Sequence, residues 1–208
     1  MSKLLKGVHI CHLQEVHGSA EELLANLNHL LSEFYIGYSF INSDAGGVAT
    51  LIRKSIVQEG MLLCCEIMDE GRSLRTSLES CGGGYFTWNI HNHGISLAGF
   101  IKIQAQISQD IRLSLIEDLN RHTTTVFGDW NFLADGDYIK SYEDVDTPLE
   151  NNNRGDYQSH WTALQRQMVE LQQGFPTRFN SQNNTGSCLD RGYIAKSPHI
   201  VELLEFNA

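Results

Sequence analysis

Asp129 and Asn131 stand two residues apart in the run TTTVFGDWNFLADGD, Thr123 to Asp137. A carboxylate and a carboxamide at that spacing can divide a hydrolytic task. One polarises or orients a water, and the other hydrogen-bonds a phosphate oxygen. Thr123 to Phe127 is β-branched and aromatic, the composition of a buried strand. Gly128-Asp129 stops it, so the two polar residues fall where a rigid strand gives way to an open loop. Asp-Trp-Asn after a strand also makes an ordinary turn, and by itself the motif favours the turn. Two further carboxylates occupy similar places: Glu15, just past the apolar run Val8 to Leu13, and Asp190, in the segment from Cys188 to Ala195. If the three carboxylates fold together, Glu15 and a water-filled neighbourhood suit Mg²⁺, which takes few carboxylates and completes its shell with water and substrate phosphates.

The elements that must position them follow from pattern. Ser19-Ala20-Glu21-Glu22 is a capping box, opening a helix to about Ser32 with Leu23, Leu24, Leu27, Leu30 and Leu31 on one face. Phe34 to Ile41 and then Val48 to Val57, Met61 to Met68, Ser73 to Leu78 and Tyr85 to Ile90 form strands. Short Gly-rich turns separate them, which predicts antiparallel neighbours. Fourfold spacing of Ile103, Ile107, Ile111, Leu115 and Leu119 predicts a helix over 100–122. Residues 136–154 are polar and acidic, the composition of a long surface loop. Tyr157 to Gln172 has helical spacing, ended by Gly174. Pro176 to Phe179 is extended, and Ile200 to Phe206 is a last strand. With no repeat and no linker, residues 1–208 form one α/β domain, a sheet core with helices outside.

Composition narrows the function classes. With 208 residues, 41% hydrophobic and 19% charged, the chain belongs to globular proteins that bury a sizeable core. No run reaches the roughly 18 apolar residues of a membrane span, and the N-terminus lacks a signal-peptide block. A membrane partner is not expected, and an intracellular site, nuclear or cytoplasmic, is. The five cysteines lack zinc-site spacing and read as packed thiols. A net charge of −10 argues against a simple nucleic-acid-binding module. It leaves room for an enzyme that meets nucleic acid through a bound cation. His91 and His93 form an HxH pair open to metal binding or to a polar surface role. His12 and His17 flank Glu15 without the HExxH spacing, and Asp190-Arg191 also fits a surface ion pair.

An ordered set of motifs then resembles the endonuclease/exonuclease/phosphatase superfamily, the group of pancreatic deoxyribonuclease and the abasic-site endonucleases, and within it the endonuclease domains of non-LTR retrotransposons. Leu13-Gln14-Glu15 looks like the family's metal-binding LQE, and Gly46 to Lys54 resembles the strand after its Gly-Gly turn. Trp88 to Gly94 stands where relatives carry a Tyr or His that touches the scissile phosphate. Gly128 to Asn131 resembles GDxN, and Pro176-Thr177-Arg178 followed by SCLDRGYIA resembles the late T-R and LDR segments.

The resemblance implies a four-layered α/β sandwich of two mixed, mainly antiparallel sheets, incomplete at both termini. The family's first strand, with its Asn, has no counterpart here, and the sequence stops at Ala208 before any match to its closing Ser-Asp-His segment; His199 comes too soon after Asp190 to replace that His. It implies a Mg²⁺-dependent phosphodiesterase, with Mn²⁺ as the substitute metal, acting on DNA, with a reverse transcriptase module of the same element as a partner. Glu15 would hold the metal, and Asp129 would orient or deprotonate the attacking water. Asn131 and His91 would hold phosphate oxygens, and Asp190 would orient the absent terminal His. Poor DNA hydrolysis is the expectation. Two alternatives stand beside this reading: hydrolysis of another phosphoester, such as a phosphoinositide or sphingomyelin, and a catalytically dead remnant that at most binds nucleic acid.

Overall fold

The computed structural model describes residues 5–42, 46–115, 122–130, 138–141, 146–148, 155–171, 178–180, 185–187 and 190–195. In chain order the strands are β1 (Ile10–Gln14), β2 (Phe34–Ser39), β3 (Val48–Arg53), β4 (Leu62–Asp69), β5 (Ser73–Ser80), β6 (Gly83–His91), β7 (His122–Asp129), β8 (Tyr138–Ser141), β9 (Asp146–Pro148), β10 (Val169–Leu171), β11 (Arg178–Asn180), β12 (Thr185–Ser187) and β13 (Asp190–Ala195). The helices are α1 (Ala20–Asn26), α2 (Leu97–Leu115) and α3 (Gly155–Gln165).

Period-2 alternation divides the side chains of each strand between two faces. In β3, Ala49 and Leu51 join Leu23, Leu27, Leu30 and Phe34 in a core under α1. In β6 and β7, Trp88, Ile90 and Val126 join Phe100, Ile103, Ile107 and Ile111 of α2 and Trp161 and Leu164 of α3. The intervening residues, His12, Thr50, Thr87, Asn89 and Thr125, point into the gap between the sheets. The result is four layers: α1, a three-stranded sheet in the order β1-β3-β2, a six-stranded sheet in the order β10-β13-β7-β6-β5-β4, and α2 with α3. Within the six-stranded sheet β6 and β7 run parallel, joined by α2, and the other pairs are antiparallel. The short strands β11, β12, β8 and β9 make a further sheet.

The gap between the sheets mixes apolar residues, Val48, Ile52, Leu74 and Phe127, with a chain of paired polar groups. His12 Nδ1 lies 3.1 Å from Thr50 Oγ1 and its Nε2 lies 2.8 Å from Thr87 Oγ1. Thr125 donates to Thr87, and Tyr85 bonds Thr125 at 2.7 Å. Asn89 donates from Nδ2 to the carbonyls of Leu13 and Ala49. Burial holds the His12 imidazole at a pKa of about 4, so the bridge is a neutral one. On the far side of the sheet, buried Asp110 of α2 accepts from Arg75 Nε and Nη2 and from Trp88 Nε1, each at 2.9 Å.

Several expected boundaries change. The Ser19–Glu22 capping box forms with both hydrogen bonds, but α1 stops at Asn26. A 3₁₀ turn over Asn28–Leu30 then keeps Leu27 and Leu30 buried, because leucines three apart share a face of that tighter helix. The helix expected over 157–172 ends at Gln165. Three-residue turns from Leu164 and Gln165 lead into β10, whose alternating residues continue the apolar spacing that had suggested helix. The acidic segment 136–154 is not wholly loop: Lys140 pairs with Asp146 and Tyr138 with Pro148 across β8 and β9. Backbone pairing needs no apolar pattern, and composition alone was blind to it. The expected strand Ile200–Phe206 lies outside the described residues.

Candidate functional site

Strand register does most of the assembly. β6 and β7 are parallel and end together, with His91 opposite Asp129. β13 is antiparallel to β7 and begins where β7 ends, with Asp190 opposite Asp129. Residues directly opposite on paired strands share a face, so His91, Asp129 and Asp190 form one row across three strands. That face is the one turned to the three-stranded sheet, since Thr87, Asn89, Thr125 and Phe127 share it.

Glu15 reaches the same place from the other sheet. It follows β1, and its φ of +52° makes it the one non-glycine residue with positive φ among the described residues. A left-handed backbone at a glutamate is strained, and such strain persists where the surroundings hold it. Here Gln14 does the holding. Its Nε2 donates to Asn89 Oδ1 at 3.2 Å and to the Ile90 carbonyl at 2.9 Å, and its Oε1 accepts the Asp129 backbone N–H at 3.1 Å. One carboxamide thus ties β1 to both β6 and β7 directly beneath the row. The Val16 N–H, bonded to the Gly47 carbonyl at 3.1 Å, turns the chain after Glu15. Glu15 Oε1 then stands 3.4 Å from His91 Nε2. The Glu15 side chain is 64% exposed and that of His91 is 2% exposed, so the pair spans the floor and mouth of the site.

Electrostatics keep His91 neutral. Burial and then the Arg72 guanidinium lower its pKa to about 4, against the opposing pull of Glu15 and Asp190. Arg72 Nη1 lies 3.0 Å from His91 Nδ1. His93 is exposed, with its ring stacked on His91 at a centroid separation of 5.8 Å. Asn92, fully buried, fastens the chain leaving β7: its N–H donates to the Asp129 carbonyl and its Nδ2 to the Trp130 carbonyl, both at 2.8 Å. A cavity of about 750 Å³ runs along β1, from Leu5 and Val8 past His12 to Gly128, Asp190 and Arg191. It meets the site from the side of Asp190.

Glu15, His91, Asp129 and Asp190 are therefore brought together; Asn131 lies outside the described residues. Gln14, Arg72 and Asn92 are residues the motif reading passed over. Gln14 was legible as part of LQE. Asn92 was legible as the residue after His91. Arg72, after an Asp69-Glu70-Gly71 cluster that reads as turn punctuation, carried no signal of its own.

A single exposed carboxylate, that of Glu15 at the mouth of the site, fits Mg²⁺, a hard cation that accepts one or two carboxylates and retains water. It does not resemble an all-protein cage, and no group of three or more His, Cys, Asp or Glu side chains is arranged as one among the described residues.

No family model matches the sequence, and no curated protein does. Solved structures do match. An AP endonuclease from Archaeoglobus fulgidus superposes with a TM-score of 0.59 at 14% identity, over 96% of this chain and 81% of its own. Its fold is this fold. D. rerio TDP2 humanized by 14 mutations gives 0.57 at 13%, over 95% of this chain and 74% of that one. D. rerio TDP2 complexed with single strand DNA product gives 0.54 at 12%, over 95% and 75%. The α/β sandwich implied by the LQE and GDWN motifs is thus the architecture found, and none of its helices is long and apolar enough to cross a membrane among the described residues.

Proposed function

We propose that the chain is a Mg²⁺-dependent phosphodiesterase acting on DNA, an endonuclease of the retrotransposon type. The observation that carries this reading is the row His91, Asp129 and Asp190 on one sheet, faced by Glu15 from the other. The structural likeness to an AP endonuclease and to a TDP2 solved with a single strand DNA product points to the same substrate class.

Glu15 would hold the metal, which supplies neutralising charge to the scissile phosphate. Asp129 is held by its backbone through Gln14 and Asn92, and its carboxylate would orient or deprotonate the attacking water. Neutral His91 offers a phosphate oxygen an N–H from a site that is mostly shielded from water, where such a donor is most effective. Asp190 sits opposite Asp129 and holds negative charge close to the His91 ring. Asn131 would supply a further phosphate contact.

The test is nicking of supercoiled plasmid with Mg²⁺, an assay in which one cut per molecule is visible. Slow nicking that disappears in Asp129→Ala is the expected result. A wild-type chain that binds DNA and leaves the plasmid intact would replace this reading with the non-catalytic remnant. Turnover of a phosphoinositide or sphingomyelin in a parallel panel, without nicking, would replace it with the other phosphoesters.

A further inference from the structure

His91 has two ring nitrogens, and the chemistry available to it depends on which one carries the proton. In many sites Nδ1–H donates to a carboxylate or carbonyl, leaving Nε2 with a lone pair to act as base or ligand. The partner of Nδ1 here is different. Arg72 Nη1 stands 3.0 Å away, and a guanidinium has donors and no acceptor. Nδ1 must therefore present its lone pair. In the neutral ring the proton then lies on Nε2, the nitrogen that faces Glu15 Oε1 at 3.4 Å. Both ends of the ring agree on one tautomer.

Arg72 is built in firmly. It is buried, and it follows Gly71, whose φ of +62° turns the chain into β5. Its carbonyl accepts the His91 N–H at 2.8 Å, so the two residues are tied through the backbone as well as through their side chains. Gly46 leaves room for the guanidinium, since a Cβ there would lie 3.2 Å from Cζ.

We propose that Arg72 is a positioning residue that locks His91 with its proton on Nε2, making the ring a hydrogen-bond donor to phosphate and barring it from acting as a base. This rests on the proposed phosphodiesterase reading for its catalytic consequence, and on geometry alone for the tautomer. With Nη1 occupying the Nδ1 lone pair, the ring cannot collect a proton there. It also cannot turn over without opposing a donor to a donor. General-base work then falls to Asp129 rather than His91.

Long-range ¹H–¹⁵N spectroscopy on protein labelled at histidine reads the tautomer directly, with the His91 signals assigned by their loss in His91→Gln. The wild-type ring should show an unprotonated Nδ1 and a protonated Nε2. In Arg72→Met the pattern should give way to a mixture of tautomers. Arg72→Lys, which keeps one donor, should restore it in part. Plasmid nicking should fall by about 10²-fold in Arg72→Met, the usual cost of disordering one phosphate donor, and recover partly in Arg72→Lys. A proton on Nδ1 in the wild-type protein overturns the proposal without any variant. An unchanged tautomer in Arg72→Met overturns it too, even if nicking falls. A locked tautomer in a wild-type chain that never nicks overturns the proposed function, and leaves the assignment of the Arg72–His91 pair standing.

Discussion

Gln14→Glu changes one atom in size and reverses one function. In the wild-type chain the Gln14 carboxamide donates to Asn89 Oδ1 and the Ile90 carbonyl and accepts from the Asp129 N–H. The Asn89 amide cannot flip to help, because its Nδ2 is engaged by the Leu13 and Ala49 carbonyls. A carboxylate at position 14 keeps the Asp129 bond and turns the other two into contacts between acceptors. Two lost neutral hydrogen bonds, plus acceptors left facing a charge, give a destabilisation of about 2–4 kcal/mol at neutral pH. For a chain of this size that is a fall in Tm of about 4–16 °C. The introduced carboxyl should have a raised pKa in the folded state, because only its protonated form can donate to Ile90. The sign follows: below the unfolded pKa of about 4.3 only the lost bond to Asn89 remains as a cost, the cost grows as pH rises, and it levels off above the folded pKa. Urea unfolding of variant and parent from pH 5 to 8 measures this widening gap. Plasmid nicking should fall by about 10²-fold, the scale of a 1 Å misplacement of a reacting group. A stability change under about 0.5 kcal/mol, with nicking intact, would refute the claim that Gln14 couples the two sheets at the site.

Asp110→Ala should cost about 2–4 kcal/mol in urea unfolding, since it leaves the Arg75 guanidinium with Glu66 as its remaining carboxylate and strands the buried Trp88 N–H, and Arg75→Met in the same chain should return part of that loss. Glu15→Gln should remove the Mg²⁺ signal in isothermal titration, whereas Glu15→Gly should remove it and also stabilise the chain by about 1 kcal/mol, the relieved strain of the positive φ less the added freedom of glycine in the unfolded chain. Neutral His12 and His91 both have folded pKa values of about 4 against an unfolded value near 6.5. Unfolding midpoints should therefore hold steady above about pH 6.5 and fall as pH drops towards 4, with a shallower fall in His12→Gln.

The strand positions could be read from the sequence because each strand has two faces with different demands. The expected antiparallel pairing holds for β2 with β3, β4 with β5 and β5 with β6, whereas β3 and β4 part into different sheets, which turn spacing does not record. Trp88 and Ile90 had to find α2, and the fourfold isoleucines of α2 had to find them. The strand ends at Glu15, His91, Asp129 and Asp190 were legible for the same reason. The misreadings have causes of their own. Met168 packs on the α2–α3 core from the turn after α3, and Leu171 lies on the opposite face of β10 beside Gly192 and Phe127, so their helical spacing is a coincidence of two different faces. β8 and β9 are held by backbone pairing, which composition does not record.

The polar pairing in the gap between the sheets was not legible at all, and it explains why the site sits where it does. Alternation that sends Trp88 and Ile90 to α2 sends Thr87, Asn89 and His91 to the other face. An apolar gap would have joined the sheets without preference for any one offset, since hydrophobic burial is non-directional. Hydroxyl and amide pairs instead lock the offset. His12 bridges Thr50 to Thr87, Asn89 bridges Leu13 and Ala49, and Gln14 bridges Ile90 to Asp129. From His12 onward each residue of β1 bonds the opposite sheet, and the next residue after the last bond is Glu15. A site whose two halves come from different sheets needs that offset held to a fraction of an ångström, because the charge they stabilise lies between them. The buried polar side chains, which cost desolvation wherever one is left unpaired, are thus the part of the core that makes Glu15 and Asp129 neighbours.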